Sequence, residues 1–194
     1  MTKGRFRRWI VLVAVTAVAL LLDWWTKNLA LTRLGTDRVV PLLGDVLQLQ
    51  LAFNPGAIFG TNPADYWPGF PTRAFYMVFS ALMALVLVLF YSRVDVRQNR
   101  LTAWGLVLVL PGALGNLVDR ALDRPGVVDF IRMDFGFPPF HPWPLYNVAD
   151  IYITVGVGLL LLDIVLGEVR HRRQPPVSEP PAAGNRKKPS SRRR

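Results

Sequence analysis

Two aspartates of this 194-residue chain stand in apolar surroundings: Asp129 within GVVDFI (126–131) and Asp150 within PLYNVADIYITVG (144–156). A buried carboxylate is costly unless it is neutralised or paired. Two carboxyl groups held a few ångströms apart raise one pKa and share a proton near neutrality. The ionised member of such a pair draws a proton from water while the protonated member donates to a carbonyl oxygen, which is acid–base hydrolysis of an amide. Neither Asp129 nor Asp150 has a basic neighbour in sequence. Asp119, in contrast, abuts Arg120, and Asp23 precedes Lys27 by four residues on one helix face, so these two read as supporting ion pairs.

Taken singly, each residue also has a structural reading. Asp129 would be a strand end in a loop, Asp150 a first-turn carboxylate favoured by the helix dipole, and Asn116 an amide bonding across helices. Convergence at one membrane depth favours function, because ionisable groups within a bilayer are expensive and tend to mark working sites. Other chemistries lack their parts. The chain has no cysteine and two histidines, His141 among prolines and His171 near the end, and it contains no HExxH, GxSxG or phosphate-binding loop. No metal and no cofactor is expected.

The elements that must carry these residues are membrane helices. Hydrophobic residues make up 52% of the chain and its mean hydropathy is +0.29. Apolar runs at 9–22 (continuing to 25), 74–91, 101–117 and 148–166 each approach the roughly 20 residues that span a bilayer. The net charge of +10 could suggest nucleic acid, but its placement argues otherwise. Sixteen of the 23 basic residues fall before the first run, in the 92–100 loop or after Glu168, hence on one side of four alternating spans. The positive-inside rule then makes both termini cytoplasmic and turns 23–73 and 120–147 outward. The start also resembles a secretory leader, yet the bulky, charged DWWTK after the apolar run argues for a retained span.

Residues 1–8 read as a basic arm, 9–167 as the membrane domain with outer segments at about 26–73 and 120–147, and 168–194 as a disordered basic tail. Alternation in VLQLQLAF (46–53) predicts a strand and a small sheet platform on the membrane surface. TNPADYWPGFP (61–71) reads as loop at headgroup level, and the prolines of FPPFHPWP (137–144) exclude a central strand or helix. The fold class is therefore all-α, four transmembrane helices with a small β-platform. Gly105, Gly112, Asn116 and Asp119 share one face of the third span, and Asn147, Asp150 and Thr154 one face of the fourth.

In order along the chain, DWWTK, FNPGAIFG, GALGNLVDR, VVDF and YNVAD resemble the motifs of the lipoprotein signal peptidases (signal peptidase II), bacterial inner-membrane aspartyl proteases. The resemblance covers about residues 9–167, and the combination is highly specific. It implies a lipoprotein precursor carrying diacylglycerol on a cysteine, cut on the amino side of that cysteine. It further implies that Asp129 and Asp150 are the catalytic pair and that Asn54, Gly56, Asn116, Arg120 and Asn147 line the substrate site. Asp23, Lys27, Gly112, Asp119 and Ala149 then have supporting roles. Trp24, Pro55, Ile58, Pro111 and Tyr146 depart from the usual pattern without removing a required carboxylate or amide. Expected partners are the lipidated precursor and membrane lipids, not nucleic acid, with a monomer as the working unit. The strand ending at Phe53 is expected to add the extended substrate at its edge, with Asn54 holding the substrate backbone.

Two other classes remain open on the sequence. A cation-coupled transporter would place polar residues through the bilayer midplane, and a membrane scaffold would use the basic tail.

Overall fold

The four apolar runs fold as helices longer than the runs themselves. In the computed structural model, which describes residues 3–56, 63–122, 124–138 and 143–173, these are α1 (Lys3–Arg33), α3 (Thr72–Arg93), α4 (Arg100–Ala121) and α5 (Val148–Arg173). A short α2 (Pro63–Tyr66) lies in the first outer segment. All four long helices have the length and apolar content to cross a membrane. At 31 residues α1 extends about 46 Å, well beyond a hydrocarbon core of about 30 Å. The expected end at residue 25 is thus corrected: TKNLALTR holds no breaker, and the helix continues until the Gly35 turn region. At the other end of the chain α5 runs to Arg173, six residues into the segment assigned to the tail. Residues 174–194 lie outside the described part, as do Ile58 and His141.

Outside the bundle, β1 (Val39–Leu43), β2 (Leu47–Asn54) and β3 (Val127–Met133) form an antiparallel sheet in the order β1-β2-β3. The alternation read at 46–53 is β2, shifted by one residue. Proline 41 suits β1 to an edge position, since an edge strand can spare a donor. β3 pairs with β2 along its length, whereas β1 pairs only with Leu47–Gln50, so among the described residues the end of β2 at Leu51–Asn54, where substrate addition was expected, has an open edge on the β1 side. Ala30 and Leu34 at the end of α1 pack with Leu51, Val128 and Phe130. The overhanging turns of α1 therefore anchor the sheet to the bundle.

Helix α4 is the hub, packing against α1, α3 and α5. Glycines make the α4–α5 approach possible: a Cβ on Gly105 would lie 2.8 Å from the Gly156 carbonyl oxygen, and one on Gly112 2.5 Å from that of Ala149. Such backbone contact is characteristic of membrane helices, where close packing substitutes for a hydrophobic driving force. Pro111, inside α4, is nonetheless accommodated and buried. Outward, Val13, Leu21, Leu82, Leu85, Leu161 and Ile164 are more than half exposed, a surface suited to hydrocarbon.

Candidate active site

Every described polar residue singled out from the motifs meets at one end of the bundle, where α1, α4, the start of α5 and the sheet converge. Asn147 immediately precedes α5 and closes its first turn reciprocally. Its Oδ1 accepts the Asp150 backbone N–H at 3.1 Å, and its own N–H donates to Asp150 Oδ2 at 3.1 Å. This is the capping-box pattern with aspartate in the return position. Asp150 thus occupies the first turn of α5, as its reading as a first-turn carboxylate expected, and adds to that place the return half of the cap and a second set of contacts.

Those contacts join the two aspartates. Asn147 Nδ2 donates to Asp129 Oδ1 at 2.6 Å, and Asn116 Nδ2 donates to Asp150 Oδ1 at 2.8 Å. Asn147 Nδ2 also reaches Asn116 Oδ1 at 3.2 Å, so amides on two elements link both carboxyl groups. Asp129 is only 3% exposed, and its neighbours on β3, Val128 and Phe130, are buried on the opposite face of the strand. Burial and the neighbouring Asp150 charge push its pKa up from 3.8 to about 7, against the opposing hydrogen bonds of Asn147 and Asn54. It thus keeps a proton near neutrality, as a carboxyl group beside another carboxylate in an apolar setting must.

Behind this pair lies a buried charge cluster. Lys27 Nζ sits 2.8 Å from both Asp23 Oδ2 and Asp119 Oδ2, and donates to Asn116 Oδ1 at 3.2 Å. Asp23 Oδ1 accepts the Ala149 N–H at 3.0 Å, tying α1 to the first turn of α5. A Cβ on Gly115 would fall 2.5 Å from Asp23 Oδ2, so glycine there gives the carboxylate its room. The Asp23–Lys27 pair is as expected. The pairing of Asp119 with Arg120 is not: Asp119 takes Lys27, Arg124 Nη1 at 2.5 Å and the Val128 N–H at 3.2 Å. Adjacent helical residues point about 100° apart, and that divergence separates Asp119 from Arg120.

Arg120 turns instead toward the dyad side. Its Nη1 donates to the Asn116 carbonyl at 3.1 Å and its guanidinium lies 5.4 Å from the centre of the Tyr76 ring, while its Nε is buried without a partner among the described residues. The same ring braces the turn after β2. At φ 120° Gly56 presses so close to Tyr76 that a Cβ would come within 2.3 Å of it. Asn54 Oδ1 accepts the Gly56 N–H at 3.0 Å, and the Asn54 side chain hydrogen-bonds Asp129. Sequence reading passed over Tyr76, Arg124 and Asp163. The last accepts hydrogen bonds from the Thr102 N–H at 3.2 Å and its hydroxyl, satisfying the start of α4 from α5. Asp163's position in an apolar run was the available signal.

The raised pKa of Asp129 has a stability consequence. Between about pH 4 and 7 an unfolded chain has ionised this group while the folded chain keeps it protonated, so the residue's contribution to stability falls with rising pH, by at most about 4 kcal/mol. Asp129→Asn removes that dependence. Melting curves in neutral detergent are expected to show the variant gaining on wild type between about pH 4.5 and 8. Parallel curves would show that Asp129 does not titrate in this window.

Over residues 15–166 the chain matches the family described as Signal peptidase (SPase) II. It is 33% identical over 160 residues to the lipoprotein signal peptidase of Halalkalibacterium halodurans, covering 82% of this chain and 95% of that one. The lipoprotein signal peptidase of Brevibacillus brevis is 37% identical over 164 residues, covering 84% and 99%. A solved structure described as "Bacterial membrane enzyme structure by the in meso method at 2.3 A resolution" has a TM-score of 0.70 at 23% identity, over 84% of this chain and 93% of that one, a likeness of fold. Because the family match takes in all four membrane helices and the relatives align over nearly their whole length, the chain belongs to the signal peptidase II family.

Proposed function

We propose that the chain is an aspartic endopeptidase that hydrolyses the bond on the amino side of a diacylglyceryl-modified cysteine in lipoprotein precursors, with Asp129 and Asp150 activating water. Family membership makes it a bacterial multi-pass membrane protease that processes lipoprotein signal peptides. The aspartic mechanism rests on one observation: two carboxyl groups bridged by Asn147, one of which holds a proton near pH 7.

In this mechanism the ionised carboxylate takes a proton from water as the water attacks the scissile carbonyl, and the protonated one donates to the carbonyl oxygen. On collapse of the tetrahedral intermediate the C–N bond breaks, the carboxyl group that took the water's proton gives it to the leaving amine, and the other recovers its proton from the intermediate's hydroxyl as the new carboxyl group forms, restoring the pair. Asn116 and Asn147 hold the carboxyl groups in place, so their part in substrate binding is joined to that positioning. Arg120, with donors left over, and the turn at Asn54 and Gly56 stand beside the pair to hold the peptide backbone. The apolar helices let acyl chains remain in lipid. By the positive-inside rule the pair faces the extracytoplasmic side with both termini in the cytoplasm, and a monomer contains the whole site.

The test is cleavage of a diacylglyceryl-modified precursor beside its unmodified form, by wild type and by an Asp129→Asn/Asp150→Asn double variant. Cutting of the lipidated form alone, and by wild type alone, is expected; cutting by the double variant at the wild-type rate would refute the aspartic mechanism. Equal cutting of both precursors would refute the lipid requirement.

A further inference from the structure

At the end of the bundle away from the dyad, a cavity of about 800 Å³ opens between the start of α1, the α3–α4 connection and the first turns of α4. Nothing in the peptidase chemistry uses it. Its polar end is lined by Arg7, Arg8 and Arg97, and the only carboxylate lining it among the described residues, Asp95, accepts the Arg97 backbone N–H at 2.9 Å. None of the three arginines is in an ion pair among the described residues. Arg8 is fixed: it donates to the carbonyls of Ser92 at 2.6 Å and Val94 at 3.1 Å, and its guanidinium lies 5.4 Å from the Trp9 ring centre and 5.5 Å from that of Tyr91. Arg97 reaches across to α1, its Nη2 lying 3.7 Å from where a Cβ of Gly4 would be. A fixed, unneutralised cation flanked by two more is a site for an anion.

The other wall decides what kind of anion. Val11 on α1 and Val107 on α4 line it, with the half-exposed Trp104 one turn before Val107. Arginines at one end, an apolar wall at the other and an indole between them match an amphiphile lying along the membrane normal. The volume exceeds what a phosphate ion needs and lies within the range of small-molecule sites. We propose that this cavity binds the phosphate headgroup of an anionic phospholipid, with the glycerol end against Val11, Trp104 and Val107. The site would lock α1 against α4 at their amino ends, opposite the Lys27 cluster that locks them near the dyad.

The test uses the full chain in neutral detergent, with the melting temperature followed during titration with short-chain phosphatidylglycerol, short-chain phosphatidylcholine or inorganic phosphate. Phosphatidylglycerol alone is expected to raise it saturably, with a weaker effect at higher salt. In an Arg7→Gln/Arg97→Gln variant, which removes two exposed charges and spares the structural Arg8, apparent affinity is expected to fall about thirtyfold, from about one decade or less per basic residue. The variant's lipid-free melt as a single transition verifies folding, and Trp104→Ala, also expected to weaken binding, supplies a second reading at the apolar end. Equal shifts with phosphatidylcholine, a matching shift with inorganic phosphate, or wild-type affinity in the double arginine variant would each overturn the proposal.

Discussion

Asp129→Asn and Asp150→Asn are each expected to lower cleavage of a lipidated precursor by about a thousandfold or more, and the double variant is expected to fall little further. The non-additivity follows from the proposed mechanism, in which water activation and proton donation belong to one shared-proton unit, so removing either carboxyl group removes the unit. Asparagine preserves the shape of the side chain, and Asn147 and Asn54 keep a carbonyl oxygen to donate to at position 129. A fold loss is therefore not the expected cause, and a melt of each variant checks this. The pH profile gives an independent reading. With Asp129 losing its proton at about 7, the wild-type rate should decline as pH rises through that value, since the donor to the carbonyl oxygen disappears. Residual activity of Asp129→Asn should lack this limb. Single variants that retain wild-type rates, or a variant whose lost activity tracks only its lost stability, would remove the two aspartates from the chemistry.

The second large effect concerns stability. Lys27→Met is expected to destabilise the chain by about 3 to 5 kcal/mol, because it strips the shared cation from two buried carboxylates. Lys27 is 1% exposed, while Asp23 and Asp119 are each 2% exposed, so water cannot replace the lost partner. Asp119 retains Arg124, but the Asp23 carboxylate is left with the Ala149 N–H as its remaining hydrogen-bond donor among the described residues. A double variant, Asp23→Asn/Lys27→Met, should recover part of the loss, since it removes the carboxylate that Lys27→Met strands. Lys27→Arg should not serve instead, as the compact ammonium fits between two oxygens at 2.8 Å where a planar guanidinium does not. Unfolding in mixed detergent provides the measurement. A loss below about 1 kcal/mol for Lys27→Met would mean that the cluster is hydrated and contributes little.

Both experiments bear on one design. The carboxyl group that holds the proton in the proposed mechanism, Asp129, comes from the sheet, while Asp150 and Asn116 come from the membrane helices. The buried lysine stands between the α1 and α4 carboxylates, and through Asn116 it touches the same amide that holds Asp150. Loss of Lys27 should therefore disturb the dyad as well as the fold.

Much of this was legible in the chain itself, for local reasons. Apolar runs of bilayer length announced four helices because in hydrocarbon a backbone must satisfy its own hydrogen bonds. The 100° step of a helix placed Gly112, Asn116 and Asp119 on one face, and strict alternation marked β2. Aspartates among valines and phenylalanine raised the question of paired carboxyl groups before any fold was known. Tertiary structure alone decided what they meet. Asp23 reaching the N–H of Ala149 joins residues 126 apart in sequence, and no local period encodes that distance. The choice of Arg124 over Arg120 by Asp119 depended on how the chain leaves α4, and β2 became central only when VVPLL, with its proline, took one flank and β3 the other. Types and spacings are properties of single segments, whereas partners are set by packing, here by glycines that allow helices to touch.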